Sequence, residues 1–231
     1  MESVGVPFRD SEREQWLASE PTWKHRLGEG WKGVKFLGRG NFGIVGLWRF
    51  IETSTTTNPP AIKAVVVKQT CQDLGLSQPV WGGMTAFDEG NILKLLSATK
   101  TNHIIKQYGG IKAGEEYGTM DLVIRLFLEY CPGGGLDRLI GGINEPRLGV
   151  IEEADIWEIF LCLVLGLIAM DRGTEDPEAT PWLGFKHLEQ SATQICHFDI
   201  KPDNLLFSNR DPEHPRIPIL KVSGALEYKN L

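Results

Sequence analysis

The chain contains few cysteines, and none of them stand close together in sequence. Its 231 residues include four cysteines, and no two of these form a Cys-x-x-Cys pair. Neither a zinc cage built on paired cysteines nor a disulfide framework is therefore expected. We expect Cys71, Cys131, Cys162 and Cys196 to be free thiols in a reducing compartment.

Long apolar segments and an excess of basic residues are also absent. The longest apolar run, residues 159–170, has twelve residues and is too short to cross a bilayer. Residues 1–16 lack the basic start and apolar core of a secretory signal. The net charge of -6 disfavours a nucleic-acid partner, since binding to phosphates needs clustered Lys and Arg. We therefore expect a cytoplasmic or nuclear protein that binds neither membrane nor nucleic acid.

The residues that are present predict a mixture of strands and helices. Residues 31–50 indicate two strands around a glycine turn, and the apolar runs at 64–70 and 121–131 indicate two more strands. Apolar residues with helical spacing predict helices at residues 85–97 and 151–170. The second of these helices is apolar nearly all round. The predicted fold class is α+β.

The sequence "GRGNFG" contains Gly38, Gly40 and Gly43, whose backbone amides could approach phosphate oxygens without obstruction by side chains. A dinucleotide-binding unit would continue into a helix and carry an acidic residue about 20 positions later. Here the following "IVGLW" predicts a strand, and residues 53–72 contain no Asp or Glu. No Lys-Ser or Lys-Thr follows the last glycine, so a P-loop is not indicated either.

A second motif gives the glycines a context. The stretch "HFDIKPDN", residues 197–204, resembles the protein kinase catalytic loop His-Arg-Asp-x-Lys-x-x-Asn, and residues 38–45 resemble the kinase loop Gly-x-Gly-x-x-Gly-x-Val. The chain therefore resembles a eukaryotic-type protein kinase, and Lys201 is typical of the Ser/Thr class. The resemblance implies a two-lobe α+β fold that uses ATP and Mg²⁺ to phosphorylate Ser or Thr of protein substrates.

The resemblance also implies domain limits and roles for individual residues. An N-terminal extension would cover residues 1–30, a small lobe residues 31–131, and a partial large lobe residues 132–231. Asp199 would orient the attacking hydroxyl, Lys201 would stabilise charge on the transferred phosphoryl group, and Asn204 would hold Mg²⁺.

Two further charged residues would complete the nucleotide site. Lys68 would grip the α- and β-phosphates, although Lys63, which stands in a literal Ala-Ile-Lys match, is an alternative. Pro59 and Pro60 favour Lys68, because they keep the residues before Lys63 out of a central strand. Glu89, on the apolar face of the helix at 85–97, would pair with this lysine.

The remaining nucleotide contacts implied by the resemblance lie in the small lobe. Backbone groups near Glu129 and Cys131 would hydrogen-bond the adenine. The other residues expected to touch the nucleotide are Leu37, Gly38, Gly40, Gly43 and Val45.

The chain departs from the kinase pattern at three points. Phe198 replaces the usual Arg, which makes regulation through a phosphorylated activation loop doubtful. No carboxylate stands where Asp-Phe-Gly is expected, in "KVSGALEY", whether the alignment deletes two residues or sets Gly224 at the Asp position. The sequence ends at Leu231, before the rest of a large lobe, which would leave the helix at 151–170 partly uncovered.

These departures leave several interpretations open. A coding segment with Asp-Phe-Gly could be missing from the sequence, or the chain could be a true pseudokinase that binds a nucleotide or a partner without catalysis; in either case we expect impaired turnover. A small-molecule kinase shares part of the catalytic-loop pattern, although Lys201-Pro202 argues against it. A hydrolase using Cys196 and His197 is disfavoured, because neighbouring residues of a strand point to opposite faces.

Overall fold

The structure is a computed structural model. It describes the following residues: 10–23, 26–40, 43–53, 56–71, 86–99, 101–110, 123–141, 151–179, 193–197, 199–224 and 226–230. Phe198, one of the departures from the kinase pattern, lies outside the described residues.

The largest element is a five-stranded antiparallel sheet. Its strands in chain order are β1 (Trp31–Gly40), β2 (Gly43–Phe50), β3 (Ala64–Cys71), β4 (Gln107–Gly109) and β5 (Val123–Glu129). Their order across the sheet is β1-β2-β3-β5-β4. All pairings are antiparallel.

Helices and short strands make up the rest of the described fold. The α-helices are α1 (Asp10–Leu17), α2 (Ala86–Ser97), α3 (Leu136–Ile140) and α4 (Glu153–Arg172), and 3-10 helices span Glu20–Thr22 and Pro202–Asn204. The remaining strands are β6 (Gly134–Gly135), β7 (Thr193–His197), β8 (Leu205–Phe207), β9 (Leu220–Val222) and β10 (Leu226–Asn230). They form the sheets β6-β8-β9 and β7-β10. The α+β class predicted from the sequence is confirmed.

The central strand β3 is buried on both faces of the sheet. Val65 and Val67 contact a cluster of tryptophans on one face, whereas Val66 belongs to the main core on the other. Side chains alternate between the two faces of a strand, so an uninterrupted run of valines fits a strand that is covered on both sides.

The N-terminal segment covers the outer face of this sheet. Trp16 and Trp23 pack against Trp48 of β2, with ring centroids 4.9 and 5.2 Å apart. Trp48 is fully buried, and the indole of Trp16 donates a hydrogen bond of 3.0 Å to Gln69 of β3. The segment that the sequence suggests as an extension therefore contributes to the second hydrophobic core.

The main core joins the five-stranded sheet to the elements that follow it. Glu89, Ile92, Leu93 and Leu96 of α2 are all buried, which matches their helical spacing. The largest fully buried apolar members of this core are Ile92, Leu93, Leu96, Ile104, Leu126, Cys162, Phe207, Leu220 and Val222. They come from α2, the segment before β4, β5, α4, β8 and β9, so one continuous core supports both the sheet and the loop before β8.

Helix α4 has one buried and one exposed apolar face. It buries Cys162, Gly166 and Ala169, and a capping box between Glu152 and Asp155 begins the helix. Its opposite face exposes Ile156, Trp157, Phe160 and Leu161, each more than half accessible to solvent. Among the described residues, no helix is long and apolar enough to cross a membrane.

Candidate functional site

The glycine turn lies between β1 and β2. Gly40 pairs with Gly43, and Gly38 pairs with Val45; residues 41–42, at the tip, lie outside the described residues. Gly43 has φ +120°, and a Cβ there would stand 2.0 Å from the Gln69 carbonyl oxygen. Both the backbone angle and the close approach therefore require glycine at this position.

Lys68 lies beside this turn and forms an ion pair with Glu89. Lys68 is the register partner of Val45, which places it next to the strand that leaves the turn. Its Nζ lies 2.7 and 2.8 Å from the two carboxylate oxygens of Glu89, and the side chains are 15% and 10% exposed. The acidic residue on the apolar face of α2 thus has a buried cationic partner.

Lys63, the alternative phosphate-binding lysine, stands in a different environment. It precedes β3 and forms an ion pair with Glu52 in which both side chains are more than half exposed. The structure therefore brings Lys68, and not Lys63, together with Glu89.

Within residues 199–204, the side chains of Asp199, Lys201 and Asn204 form one connected polar group. The Asn204 amide nitrogen donates to the Asp199 carbonyl oxygen at 2.7 Å and to Asp199 Oδ2 at 2.9 Å. Lys201 Nζ lies 2.7 Å from the same Oδ2. The hydrogen bond from Lys201, aided by that from Asn204, lowers the pKa of Asp199. Asp199 is therefore an ionised acceptor at neutral pH, and the amide oxygen of Asn204 is the atom that could ligate a cation.

His197 fixes the start of this segment. Its Nε2 donates to the Ser223 carbonyl oxygen at 2.9 Å, and its Nδ1 accepts the Asp199 N–H at 3.2 Å. Burial lowers the pKa of His197, so the ring is neutral at neutral pH. Because both ring nitrogens have partners, the geometry gives no support to a hydrolase in which His197 activates Cys196.

Gly224 lies directly against Asn204. Ser223 donates its N–H to the Asn204 carbonyl oxygen at 2.8 Å, and Gly224 follows with φ +110°. A Cβ on Gly224 would stand 2.8 Å from Asn204 Cγ. The position next to the candidate Mg²⁺ ligand therefore has neither a carboxylate nor space for a side chain.

We expect Gly224→Asp to destabilise the fold by about 1–3 kcal/mol, because the backbone strain and the contact with Asn204 add to each other. Gly224→Ala should cost a similar amount, since the cause is steric and conformational rather than electrostatic. Denaturant unfolding of both variants measures the effect. Gly38→Ala, whose Cβ would meet nothing within 4 Å, is the control for stability. Wild-type stability of Gly224→Asp would contradict this expectation.

The predicted adenine contacts lie at the end of β5 and just beyond it. The Glu129 carboxylate pairs with Lys221 Nζ at 2.9 Å and accepts the Ser208 hydroxyl at 3.3 Å. Its backbone N–H donates to the Lys106 carbonyl oxygen at 2.8 Å, so neither the carboxylate nor the N–H of Glu129 remains for a ligand. Burial, together with the charge of Glu129, raises the pKa of Cys131 to about 12. Its thiol is therefore protonated. Leu37 and Val45 pack against the main core.

Strand β9 connects residues 199–204 to the segment between α2 and β4. Val222 donates its N–H to the His103 carbonyl oxygen at 2.8 Å, and Ile105 donates back to Val222 at 3.0 Å. The next residue of the chain, Ser223, contacts Asn204 and His197. Helix α2 also contacts β10, the strand that pairs with β7 and places Leu226 opposite His197.

Two features of the structure have no signal in the sequence. One is Lys221, which is the buried partner of Glu129 although 92 residues separate them. The other is a buried group formed by His103, Cys162 and His214. Their wide separation leaves no local motif. No protein-family model matches the chain.

Proposed function

We propose that the chain has the two-lobe arrangement of a protein kinase and binds ATP with Mg²⁺ between the glycine turn and residues 199–204. The observation that carries this proposal is the buried Lys68–Glu89 pair in register with the glycine turn. A buried lysine held by a carboxylate presents a fixed positive charge beside backbone amides, which suits a triphosphate.

In this proposal the chain transfers the γ-phosphoryl group of ATP to Ser or Thr hydroxyls of proteins. Asp199, an ionised acceptor, orients the hydroxyl, and Lys201 stabilises charge on the transferred group. Asn204 offers its amide oxygen to Mg²⁺. Turnover is low, because Gly224 supplies no carboxylate to the metal; losing one electrostatic contributor costs on the order of 10² to 10³ in rate.

Gly224 also favours a second candidate, a nucleotide- or partner-binding module without catalysis. The tight contact of Gly224 with Asn204 supports the alignment in which glycine takes the position of the metal-binding Asp. Such a protein would keep the Lys68 site and lose the chemistry.

A transfer assay with radiolabelled ATP and Mg²⁺ on Ser/Thr peptides tests the proposal. We expect weak transfer that Asp199→Asn abolishes and that Asp203→Asn, an exposed carboxylate on the 3-10 helix Pro202–Asn204, leaves unchanged. Amino-sugar acceptors in parallel test the small-molecule kinase alternative.

A thermal-shift titration with ATP·Mg²⁺ separates the two candidates. Stabilisation by the nucleotide without any transfer supports the binding module. Phosphoryl transfer by Asp199→Asn at the wild-type rate would refute the role assigned to Asp199. The absence of both stabilisation and transfer would refute the nucleotide site itself.

A further inference from the structure

Two histidines and a cysteine converge inside the main core, away from residues 199–204. His103 Nε2 lies 3.4 Å from His214 Nε2, and a ring nitrogen of each histidine and the Cys162 sulfur lie within 4.8 Å of one another. The residues are 3%, 8% and 0% exposed. Three good metal ligands therefore share a small volume from which bulk water is excluded.

Three separate segments bring these ligands together. His103 lies in the segment between α2 and β4, and Cys162 lies on α4 one turn before Gly166. A Cβ on Gly166 would stand only 3.0 Å from the His103 carbonyl oxygen, so glycine allows α4 to approach this segment closely. His214 is oriented by a turn in which Asp211 accepts its backbone N–H at 2.8 Å.

Each histidine has a carboxylate on its outer ring nitrogen. Glu175 Oε1 lies 2.9 Å from His103 Nδ1 and also accepts the His103 backbone N–H at 3.0 Å. Asp211 Oδ1 lies 2.9 Å from His214 Nδ1 and accepts the Glu213 N–H at 3.0 Å. Each carboxylate already accepts backbone N–H groups, so the Nδ1 beside it acts as a donor. In a neutral ring the lone pair is then on Nε2, and the two Nε2 atoms are the ones that lie close together.

From this geometry we infer that His103, Cys162 and His214 bind a Zn²⁺ ion. With Zn–N bonds of about 2.0–2.1 Å, two nitrogens of a tetrahedral site stand about 3.3–3.4 Å apart, which agrees with the observed 3.4 Å. The carboxylate on each Nδ1 is the usual outer partner of a zinc-bound histidine, because it orients the ring and strengthens the ligand.

Zinc is favoured over other cations by the ligand set. Imidazole together with thiolate suits Zn²⁺, whereas Mg²⁺ and Ca²⁺ need oxygen ligands. Three protein ligands leave a fourth coordination position for a solvent molecule. The ion would tie α4 to the segment before β4 and to the loop before β9. This inference does not depend on the proposed nucleotide site.

Metal binding by the whole chain tests the inference. Protein treated with a chelator and then dialysed against Zn²⁺ should retain about one ion per chain. Cys162→Ser and His214→Ala should lose that ion, whereas Cys196→Ser, a thiol outside the cluster, should retain it. Asp211→Asn should weaken zinc binding roughly 10- to 100-fold, because it replaces the charged acceptor of His214 Nδ1 with a neutral amide.

Cobalt gives a readout in the wild-type chain that requires no variant. Wild-type protein loaded with Co²⁺ should show a thiolate-to-cobalt charge-transfer band and the intense visible bands of a tetrahedral site. The thiolate band should disappear in Cys162→Ser and persist in Cys196→Ser. Absence of the band in the wild type, or its persistence in a folded Cys162→Ser variant, overturns the inference. The short distance between the two Nε2 atoms would then reflect a proton shared by the two rings.

Discussion

Replacing Lys68 by methionine is expected to weaken ATP binding roughly 10- to 100-fold and to destabilise the fold at the same time. A hydrogen bond between charged groups contributes about 1.5–3 kcal/mol, which converts into that loss of affinity. The substitution also leaves the Glu89 carboxylate, 10% exposed, without the Lys68 ammonium. Breaking a buried pair from one side costs about 3–5 kcal/mol. Calorimetric titration with ATP·Mg²⁺ and denaturant unfolding measure the two effects.

A double variant separates the function of Lys68 from its contribution to stability. In Lys68→Met/Glu89→Met both charges are removed, so most of the lost stability should return. ATP binding should stay weak, because the lysine proposed to hold the α- and β-phosphates is still missing. Lys63→Met is the matched control, since it removes a lysine from an exposed pair near the same strand and should change neither property. If Lys63→Met and not Lys68→Met weakens ATP binding, the assignment of Lys68 is wrong.

The parts of the fold that the sequence predicts well are those with a local repeat. The apolar face of α2, with Glu89, Ile92 and Leu93 in one stripe, follows from helical spacing alone. Three consecutive valines before Lys68 indicate a strand buried on both sides. The sequence also indicated that a carboxylate on an apolar helix face needs a partner, because an unpaired buried charge is costly.

The parts that escape sequence analysis depend on contacts between distant segments. Nothing in the sequence around Gly224 shows that it lies against Asn204, because that contact is set by the pairing of β8 with β9. The cysteine spacing predicts no zinc site, since His103, Cys162 and His214 come from three unrelated segments. Pattern analysis detects ligands that share one helix or turn, and here no two of them do.

Gly224 decides how much chemistry the candidate site can support. Asn204 uses its amide nitrogen on Asp199, so it can give a cation only one oxygen. Mg²⁺ requires octahedral oxygen coordination and releases water reluctantly. With no carboxylate at position 224, such an ion would depend mainly on the phosphates of ATP and on water. These residues therefore fit the proposed nucleotide binding better than they fit rapid phosphoryl transfer.

Lys221→Met is expected to destabilise the fold by about 3–5 kcal/mol, the cost of leaving a buried carboxylate unpaired. Lys221 is 4% exposed and Glu129 is 14% exposed, and Lys221 belongs to β9, which also carries the contacts to His103. Losing this cation should also raise the pKa of Cys131 further, because Lys221 opposes the effect of Glu129. Denaturant unfolding measures the loss of stability.

The exposed pair between Lys63 and Glu52 is the control for this prediction. Lys63→Met removes a cation that water can replace, so it should lower the free energy of unfolding by less than about 1 kcal/mol. In the double variant Lys221→Met/Glu129→Gln no charge is left unpaired, so stability should lie well above that of Lys221→Met alone. Equal losses of stability for Lys221→Met and Lys63→Met would contradict the assignment of Lys221 and Glu129 as a buried ion pair. The Glu129 carboxylate would then be hydrated in solution, and the end of β5 would open to solvent where the adenine is proposed to bind.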